Sequence, residues 1–257
     1  MMEIKSISSM FVVVDNMKRE LNQEQLDRYY CSIKLNEIGE QGQLKLLNSK
    51  VLVVGAGGLA SSTLMYLSSS GVGYIGIIDN DNVASNNLPR QILYNSSDIG
   101  KKKVEVAKKR LRSLNKDVKV KVYDELLNID NASKIIKGYD LIIDCVDNFE
   151  TKFLINDTCV KLHKPFITGG VSDYRGQVMT YVPGKSKDFK SLFSELPINI
   201  DEKYKDDDGV FPPAVAIISN IQVSETLKYL LGIGELLTNQ MLVVDTLNWH
   251  FQKIKIN

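Results

Sequence analysis

The 257-residue chain has the composition of an ordinary globular protein, with 44% hydrophobic and 25% charged residues. Its formal net charge of +1 gives no reason to expect nucleic acid or an anionic membrane surface as the main partner. No apolar run approaches the roughly 20 residues that span a bilayer, and the start lacks the plan of a signal peptide. These features predict a soluble, cytoplasmic protein.

A chain of this length can bury one large core. We place an N-terminal extension at residues 1–25 and a single domain at residues 26–257. Three cysteines are an odd number, and their spacing suits neither a disulfide framework nor a metal cage. Cys145 falls in an apolar strand and Cys159 in a helical stretch, so both are expected to pack in the core.

Up to about residue 171 the hydrophobic pattern alternates between strands and helices. Short, wholly apolar runs are typical of parallel strands that are covered on both faces, and periods near 3.6 residues indicate helices. This alternation predicts an α/β fold with a doubly wound, mostly parallel, Rossmann-like sheet. The expected strands cover residues 51–54, 74–79, 118–126, 140–148 and 165–171, and the main helices cover 59–70, 98–115 and 149–163.

After residue 171 the pattern changes. Residues 174–184 read as an antiparallel strand, a long helix covers residues 213–231, and two strand-like runs close the chain. Between them lies a long polar segment at residues 185–209. Loops of this length are uncommon inside a compact domain and are usually functional or mobile. We therefore expect residues 185–209 to form a mobile loop that faces the substrate.

A glycine motif, GAGGLA, follows the first strand and opens the next helix. Gly55 permits a tight turn, Gly57, followed by Gly58, lets the backbone approach a phosphate, and the small Ala60 lets the next helix pack close to the sheet. The N-terminus of that helix offers free amides and a positive dipole end to an anion. Asp79 comes about 20 residues later, at the end of the second strand, where a carboxylate can bind ribose hydroxyls. Together these features predict a nucleotide site, and the motif alone favours a dinucleotide dehydrogenase.

The residues after Asp79 favour ATP instead. Arg90 and Lys103 add fixed cations of the kind needed where a triphosphate is cleaved, whereas a redox dinucleotide gains little from them. Asp147, at the tip of a strand, offers a carboxylate for Mg²⁺. The two histidines, His163 and His250, have no obvious partner for hydride transfer.

The combination of motifs resembles the ubiquitin-activating superfamily in its bacterial form, the sulfur-carrier adenylyltransferases of molybdopterin and thiamin-thiazole biosynthesis (the MoeB, ThiF and HesA type). The resemblance runs from about residue 27 to the C-terminus. The matching stretches are GAGGLA, GVGYIGIIDNDNVASNNLPRQ, DIGKKKVEVAKKRL, DLIIDCVDN, PFITGGVSDYRGQVMTYVPG, AVAIISNIQVSETLKYLLG and MLVVDTLNWHFQKIKI.

The resemblance implies a role for each matching residue. Asp79 would hold the ribose of ATP, with Asp81 in the same acidic turn. Lys103 would neutralise charge on the phosphates, although a run of three lysines by itself favours a solvated helix face. Asp147 would bind Mg²⁺ or be otherwise essential. The remaining residues, Asn87, Arg90 and Gln91, would line the phosphates.

The resemblance further implies the reaction and the partners. Such enzymes activate the C-terminal glycine carboxylate of a small ubiquitin-like protein. The carboxylate attacks the α-phosphorus of ATP, pyrophosphate leaves, and an acyl-adenylate forms. Members of the family are usually homodimers, and a homodimer is expected here.

Three departures from the family pattern affect these expectations. The first C-x-x-C pair of the family is replaced by residues 188–191, DFKS, and no second pair follows Trp249, so no structural zinc is expected. The segment before the long helix has no cysteine to receive the acyl group. Cys31 stands where the family has an arginine that reaches the partner subunit's ATP. Arg28 or another cation replaces it, ATP is held differently, or activity is reduced.

Four functions remain open at this point. The first is adenylation of a sulfur-carrier protein, and the second is adenylation of a short ribosomal peptide in antibiotic biosynthesis. The third is nucleotide binding without turnover, and the fourth is a nicotinamide dehydrogenase. A tRNA substrate is less attractive, because the basic residues are interspersed with acids.

Overall fold

The computed structural model describes residues 20–192 and 209–256. Residues 1–19 of the predicted N-terminal extension and residues 193–208 of the predicted loop at 185–209 therefore lie outside the described residues. The helices are α1 (Gln23–Arg28), α2 (Tyr30–Ile33), α3 (Gly39–Asn48), α4 (Gly58–Ser69), α5 (Lys103–Leu114), α6 (Ala132–Ile136), α7 (Phe149–Lys161) and α8 (Pro212–Leu231). The strands are β1 (Lys50–Val54), β2 (Tyr74–Ile78), β3 (Lys119–Tyr123), β4 (Leu141–Asp144), β5 (Phe166–Ser172), β6 (Arg175–Tyr181), β7 (Gln240–Asp245) and β8 (His250–Lys255).

These strands form one sheet in the order β3-β2-β1-β4-β5-β6-β7-β8. The first five in this order are parallel, and β6, β7 and β8 are added antiparallel. The predicted fold class is confirmed, and most predicted element ends are within a few residues of the observed ones. No helix in the described part of the chain has the length and apolar character needed to cross a bilayer.

Helices cover both faces of the sheet, and alternate side chains of β1 pack into the two hydrophobic cores on either face. Val51 and Val53 join the core beneath α4, α5 and α8, whereas Leu52 and Val54 join the core on the face that carries α6 and α7. All four side chains are buried. The unbroken apolar run of β1 therefore reflects a strand covered on both faces.

The order of the strands reverses between β1 and β4. From β1 the chain crosses over α4 to β2 on one side, while β4 and β5 lie on the other side. In open α/β sheets, ligands bind in the crevice outside the carboxyl ends of the strands at such a switch point. Gly55, Asp79 and Asp147 all follow the carboxyl ends of strands, so the topology brings these predicted site residues to one edge.

Candidate nucleotide-binding and adenylation site

The glycine loop connects β1 to α4 at the carboxyl edge of the sheet. Gly55 has a φ of +93°, and a Cβ there would lie 2.9 Å from the carbonyl oxygen of Cys145, so the turn requires glycine. Gly57 is the N-cap of α4 and has no side chain to cap the helix. The first-turn amides of α4 are therefore suited to bind phosphate.

Asp79 connects the glycine loop to the end of β2. One carboxylate oxygen accepts a hydrogen bond from the amide of Ala56 at 2.7 Å, and the other accepts from the amide of Asp81 at 2.7 Å. Burial raises the pKa of the Asp79 carboxyl above its ordinary value, although these two amides and Lys103 oppose that shift. The carboxylate thus supports the loop from the position that the sequence predicted for ribose binding.

Lys103 is buried at the start of α5. Its side chain is 5% exposed, and its Nζ lies 2.8 Å from a carboxylate oxygen of Asp81, which is 61% exposed. The backbone amide of Lys103 also donates to the carbonyl of Asp81. The solvated helix face that the run of lysines suggested for Lys103 is therefore wrong. Its ammonium is held at the carboxyl edge by a partner that solvent can reach.

The segment after Asp81 packs against the glycine loop. The phenol of Tyr94 donates to the carbonyl of Ala56 at 2.7 Å, and burial raises the pKa of that phenol, which keeps the donor proton in place. A Cβ on Gly58 would lie 3.7 Å from Cγ of Arg90 and 3.0 Å from Cγ1 of Val215 at the start of α8. The structure therefore brings Arg90 beside the loop, and Gly58 also allows α4 and α8 to approach closely. Sequence reasoning did not single out Tyr94.

Three predicted phosphate ligands differ in what their side chains already bind. Nη1 of Arg90 donates to the carbonyl of Asn86 at 3.0 Å, and Oδ1 of Asn87 accepts from the amide of Ala84 at 3.1 Å within its own 3₁₀ turn. Gln91 is 4% exposed, and its Oε1 is buried without a hydrogen-bond partner in the described chain. Its Nε2 lies 3.7 Å from the Cβ position of Gly57. The side-chain amide of Gln91 therefore lies beside the glycine loop.

Asp147 lies three residues beyond the end of β4 and is exposed. Its carboxylate makes no hydrogen bond or ion pair with residues 20–192 or 209–256. The next residue, Asn148, caps α7 by accepting from the amide of Thr151 at 2.9 Å. Mg²⁺ is often bound by one or two carboxylates together with substrate phosphates. A single unpaired carboxylate in this place fits such an ion.

A buried ion pair between α7 and the end of β4 was not predicted from the sequence. Nζ of Lys152 lies 2.9 Å from Oδ2 of Asp144, with side chains 8% and 2% exposed. Lys152 also donates to the carbonyl of Gly169 at 2.7 Å, and Thr168 donates to Asp144 at 2.6 Å. The amide of Gln222 on α8 reaches the Asp144 carbonyl at 2.8 Å. This network fixes the strand end that precedes Asp147.

Arg28 lies at the far edge of the sheet from the glycine loop of its own chain. Its Nη1 donates to the carbonyl of Leu114 at the C-terminal end of α5, whereas Lys103 begins that helix. A 12-residue helix is about 18 Å long. Arg28 therefore does not replace the missing arginine within one chain. Cys31, at the position of that arginine, is exposed.

A family model described as "ThiF family" matches residues 29–257. The chain belongs to this family. Membership of this family and the arrangement of the candidate site residues at the carboxyl edge identify the chain as an adenylyltransferase.

The expected burial of Cys145 and Cys159 is also confirmed. Burial raises the pKa of both thiols.

The curated relatives support that activity. The chain is 38% identical over 238 residues to a sulfur carrier protein adenylyltransferase of Thermus thermophilus, covering 91% of this chain and 88% of the relative. It is 37% identical over 236 residues to a probable molybdopterin-synthase adenylyltransferase of Gracilaria tenuistipitata, covering 92% and 66%. Several other relatives are longer; the chain covers 55% of the adenylyltransferase and sulfurtransferase MOCS3 of Culex quinquefasciatus, at 38% identity over 94% of this chain.

Solved structures show the same architecture. A crystal structure of E. coli MccB with AMPCPP and MccA superposes with a TM-score of 0.78 at 26% identity, covering 94% of this chain and 74% of MccB. The structure of PaaA superposes with a TM-score of 0.78 at 25% identity, covering 94% and 77%.

Proposed function

We propose that this chain uses ATP to activate the C-terminal carboxylate of a small ubiquitin-like sulfur-carrier protein. A carboxylate oxygen attacks the α-phosphorus, the bond between that phosphorus and the bridging oxygen breaks, and pyrophosphate leaves with the negative charge. The product is an acyl-adenylate. The observation that carries the proposal is the convergence of the glycine loop, Asp79 and Lys103 at one edge of the sheet.

The residues of this chain would divide the work as follows. The α4 amides and Gly57 would bind phosphate oxygens, and Asp79 would orient the ribose. Arg90 and Lys103 would neutralise the charge that develops on the phosphates during attack, a stabilisation that is strongest where the donors are already in place. The remaining candidates, Gly55, Gly58, Asp81, Asn87 and Gln91, would shape or line the same site.

Asp147 would hold Mg²⁺ together with phosphate oxygens. The ion would supply positive charge at the departing phosphates. The carboxylate of Asp147 is suited to this role because it is exposed and has no competing cation among the described residues.

A homodimer in the cytoplasm is part of the proposal. Within one chain, Arg28 is held at the far end of α5 by the Leu114 carbonyl. A cation for the remote phosphates would therefore come from a second copy or from elsewhere in the chain. Sedimentation of the purified protein would test the dimer.

A second candidate substrate is a short peptide. Its support is the likeness to the MccB structure that contains MccA, at 26% identity. Both substrates would present a free C-terminal carboxylate to ATP, so the chemistry at the α-phosphorus would be the same. The two proposals differ only in what carries that carboxylate.

Pyrophosphate–ATP exchange with Mg²⁺ tests the function. Carrier proteins encoded in the same genome and then short peptides are added to the wild type and to Asp147→Ala. We expect exchange that requires a free C-terminus and is lost in Asp147→Ala while its fold is retained. Tight ATP binding without exchange for any substrate would favour a nucleotide-binding relative without turnover.

A further inference from the structure

The backbone of Ala56, in the glycine loop, is held at both of its polar groups. Its amide donates to Oδ2 of Asp79 at 2.7 Å, and its carbonyl accepts from the phenol of Tyr94 at 2.7 Å. Ala56 and Tyr94 are both buried. Two short hydrogen bonds to side chains from later parts of the chain therefore fix the orientation of this backbone segment.

The bond from Tyr94 also fixes the direction of the next amide. The Ala56 carbonyl and the Gly57 N–H belong to one trans peptide unit, and they point in opposite directions because the unit is planar. Since the carbonyl faces the buried phenol, the N–H of Gly57 points away from Tyr94. This N–H makes no hydrogen bond with residues 20–192 or 209–256, and Gly57 is only partly buried. It is therefore available to a ligand.

The following peptide unit is held in the same way. The Gly57 carbonyl accepts from the amide of Ser61 at 3.1 Å and from the hydroxyl of Ser61 at 2.9 Å. The Gly58 N–H belongs to the same peptide unit, so it points away from Ser61, and it has no acceptor within the described ranges. Two successive free amides at a helix N-terminus form a concave site that suits an anion.

Tyr94 supports these amides from outside the ligand site. Its ring packs in the core beneath α4, α5 and α8, whereas Asp79 lies where ribose is expected to bind. Removing the Tyr94 hydroxyl would leave the Ala56 carbonyl buried without a donor, which costs free energy. The peptide unit would then rotate so that the carbonyl reaches water, and this rotation would turn the N–H of Gly57 out of the site.

We propose that Tyr94 is a positioning residue for ATP: its phenol holds the Ala56 peptide unit so that the N–H of Gly57 faces the phosphates. The inference rests on the proposed use of ATP. It assigns to Tyr94 an effect on the nucleotide that acts through the loop and not by contact.

Tyr94→Phe tests this role because it removes one oxygen and keeps the ring that packs in the core. Tyr139→Phe is the matched control. Tyr139 is buried, and its hydroxyl lies 3.1 Å from that of Tyr123, so the control also removes a buried hydroxyl that is hydrogen-bonded. It lies in the core on the other face of the sheet, beside Gly76 in the middle of β2. Both variants should lose similar stability, but only Tyr94→Phe should change the loop.

Isotope labelling observes the Gly57 N–H by itself. Ala56–Gly57 is the only alanine–glycine pair in the sequence, so protein labelled with carbonyl-¹³C alanine and ¹⁵N glycine gives a single HNCO signal. In the wild type and in Tyr139→Phe, AMPCPP with Mg²⁺ should move the Gly57 amide proton downfield, because a charged acceptor forms a short hydrogen bond. In Tyr94→Phe the Ala56 carbonyl shift should differ before ligand is added, and the response of Gly57 should be lost.

Calorimetry measures the affinity of the same three proteins for AMPCPP. The loss of one hydrogen bond to a charged phosphate should raise Kd about tenfold in Tyr94→Phe, whereas Tyr139→Phe should bind as the wild type does. An unchanged Kd or an unchanged Gly57 response in Tyr94→Phe would overturn the proposal. Equal weakening of AMPCPP binding in the two variants would overturn it as well.

The wild type separates this proposal from the proposed function. Pyrophosphate–ATP exchange together with a Gly57 signal that does not respond to AMPCPP would overturn the positioning role and leave the function standing. Absence of both AMPCPP binding and exchange with every carrier and peptide would reject the proposed function, and the role of Tyr94 with it.

Discussion

Two lysine–aspartate pairs lie at the carboxyl edge of the sheet, with nearly the same length and very different surroundings. The Lys103–Asp81 distance is 2.8 Å and the Lys152–Asp144 distance is 2.9 Å. Both ammonium groups are buried, but Asp81 is 61% exposed whereas Asp144 is 2% exposed. An exposed carboxylate can exchange its cation for solvent at little cost, while a buried one cannot.

This difference separates two parts of the site. On the β2 side, the exposed partner of Lys103 would release it when a phosphate arrives, so under the proposed function the lysine would be available for ATP. On the β4–β5 side, Lys152 is locked by Asp144 and the Gly169 carbonyl, so it holds the end of β4 to the middle of β5. The same pair of residue types would thus serve a ligand in one place, whereas it stabilises the fold in the other.

The largest expected effect is on stability and comes from the locked pair. Lys152→Met leaves Asp144 buried without its cation, which should lower the free energy of unfolding by about 3–5 kcal/mol. Urea denaturation measures the loss. The double variant Lys152→Met/Asp144→Asn removes the stranded charge, so it should recover part of that stability. A single variant as stable as the wild type would contradict the locked role.

Arg90→Ala should have the next largest effect, on the rate rather than on the fold. The Arg90 guanidinium is held by one carbonyl bond and is only partly buried. Losing a charge contact to the transition state should lower kcat by about 10²–10³-fold. Single-turnover adenylate formation measures the rate. A variant within a few-fold of the wild type would make Arg90 a surface residue.

Lys103→Met should lower the exchange rate while leaving stability nearly unchanged, in contrast to the loss of stability expected for Lys152→Met. Its exposed partner Asp81 can be hydrated, so unfolding should change by less than about 1 kcal/mol, while exchange falls by about 10²-fold. The two methionine variants, compared by denaturation and by exchange, form a matched pair. Equal destabilisation of both would remove the distinction between the two ion pairs.

Asp81→Asn should have the smallest effect on catalysis. If Asp81 releases Lys103 to the phosphates, its charge contributes little to bound ATP, and KM for ATP should change by less than about fivefold. The measurement is exchange at varied ATP concentration. A rise well beyond tenfold would show that Asp81 itself binds the nucleotide.

Much of the site could be predicted because its residues follow strand ends. The glycine loop and Asp79 come directly after apolar runs, Asp147 follows β4 by three residues, and parallel strands place their carboxyl ends along one edge. The burial of Lys103 could not be predicted in this way, because three consecutive lysines carry no local signal that distinguishes the buried one. Its burial follows from the packing of α5 and from Asp81, which lies 22 residues earlier.

The sequence by itself determined the alternating fold, the nucleotide loop and the family, since these depend on local periodicity and on motifs with fixed spacing. Only the tertiary structure decided which lysines are buried and which buried lysine is paired with a solvent-exposed aspartate. It also placed the Tyr94 phenol against the Ala56 carbonyl, a contact between residues 38 positions apart. Such contacts join residues from different elements, and the free energy of burying a charge depends on all the groups around it.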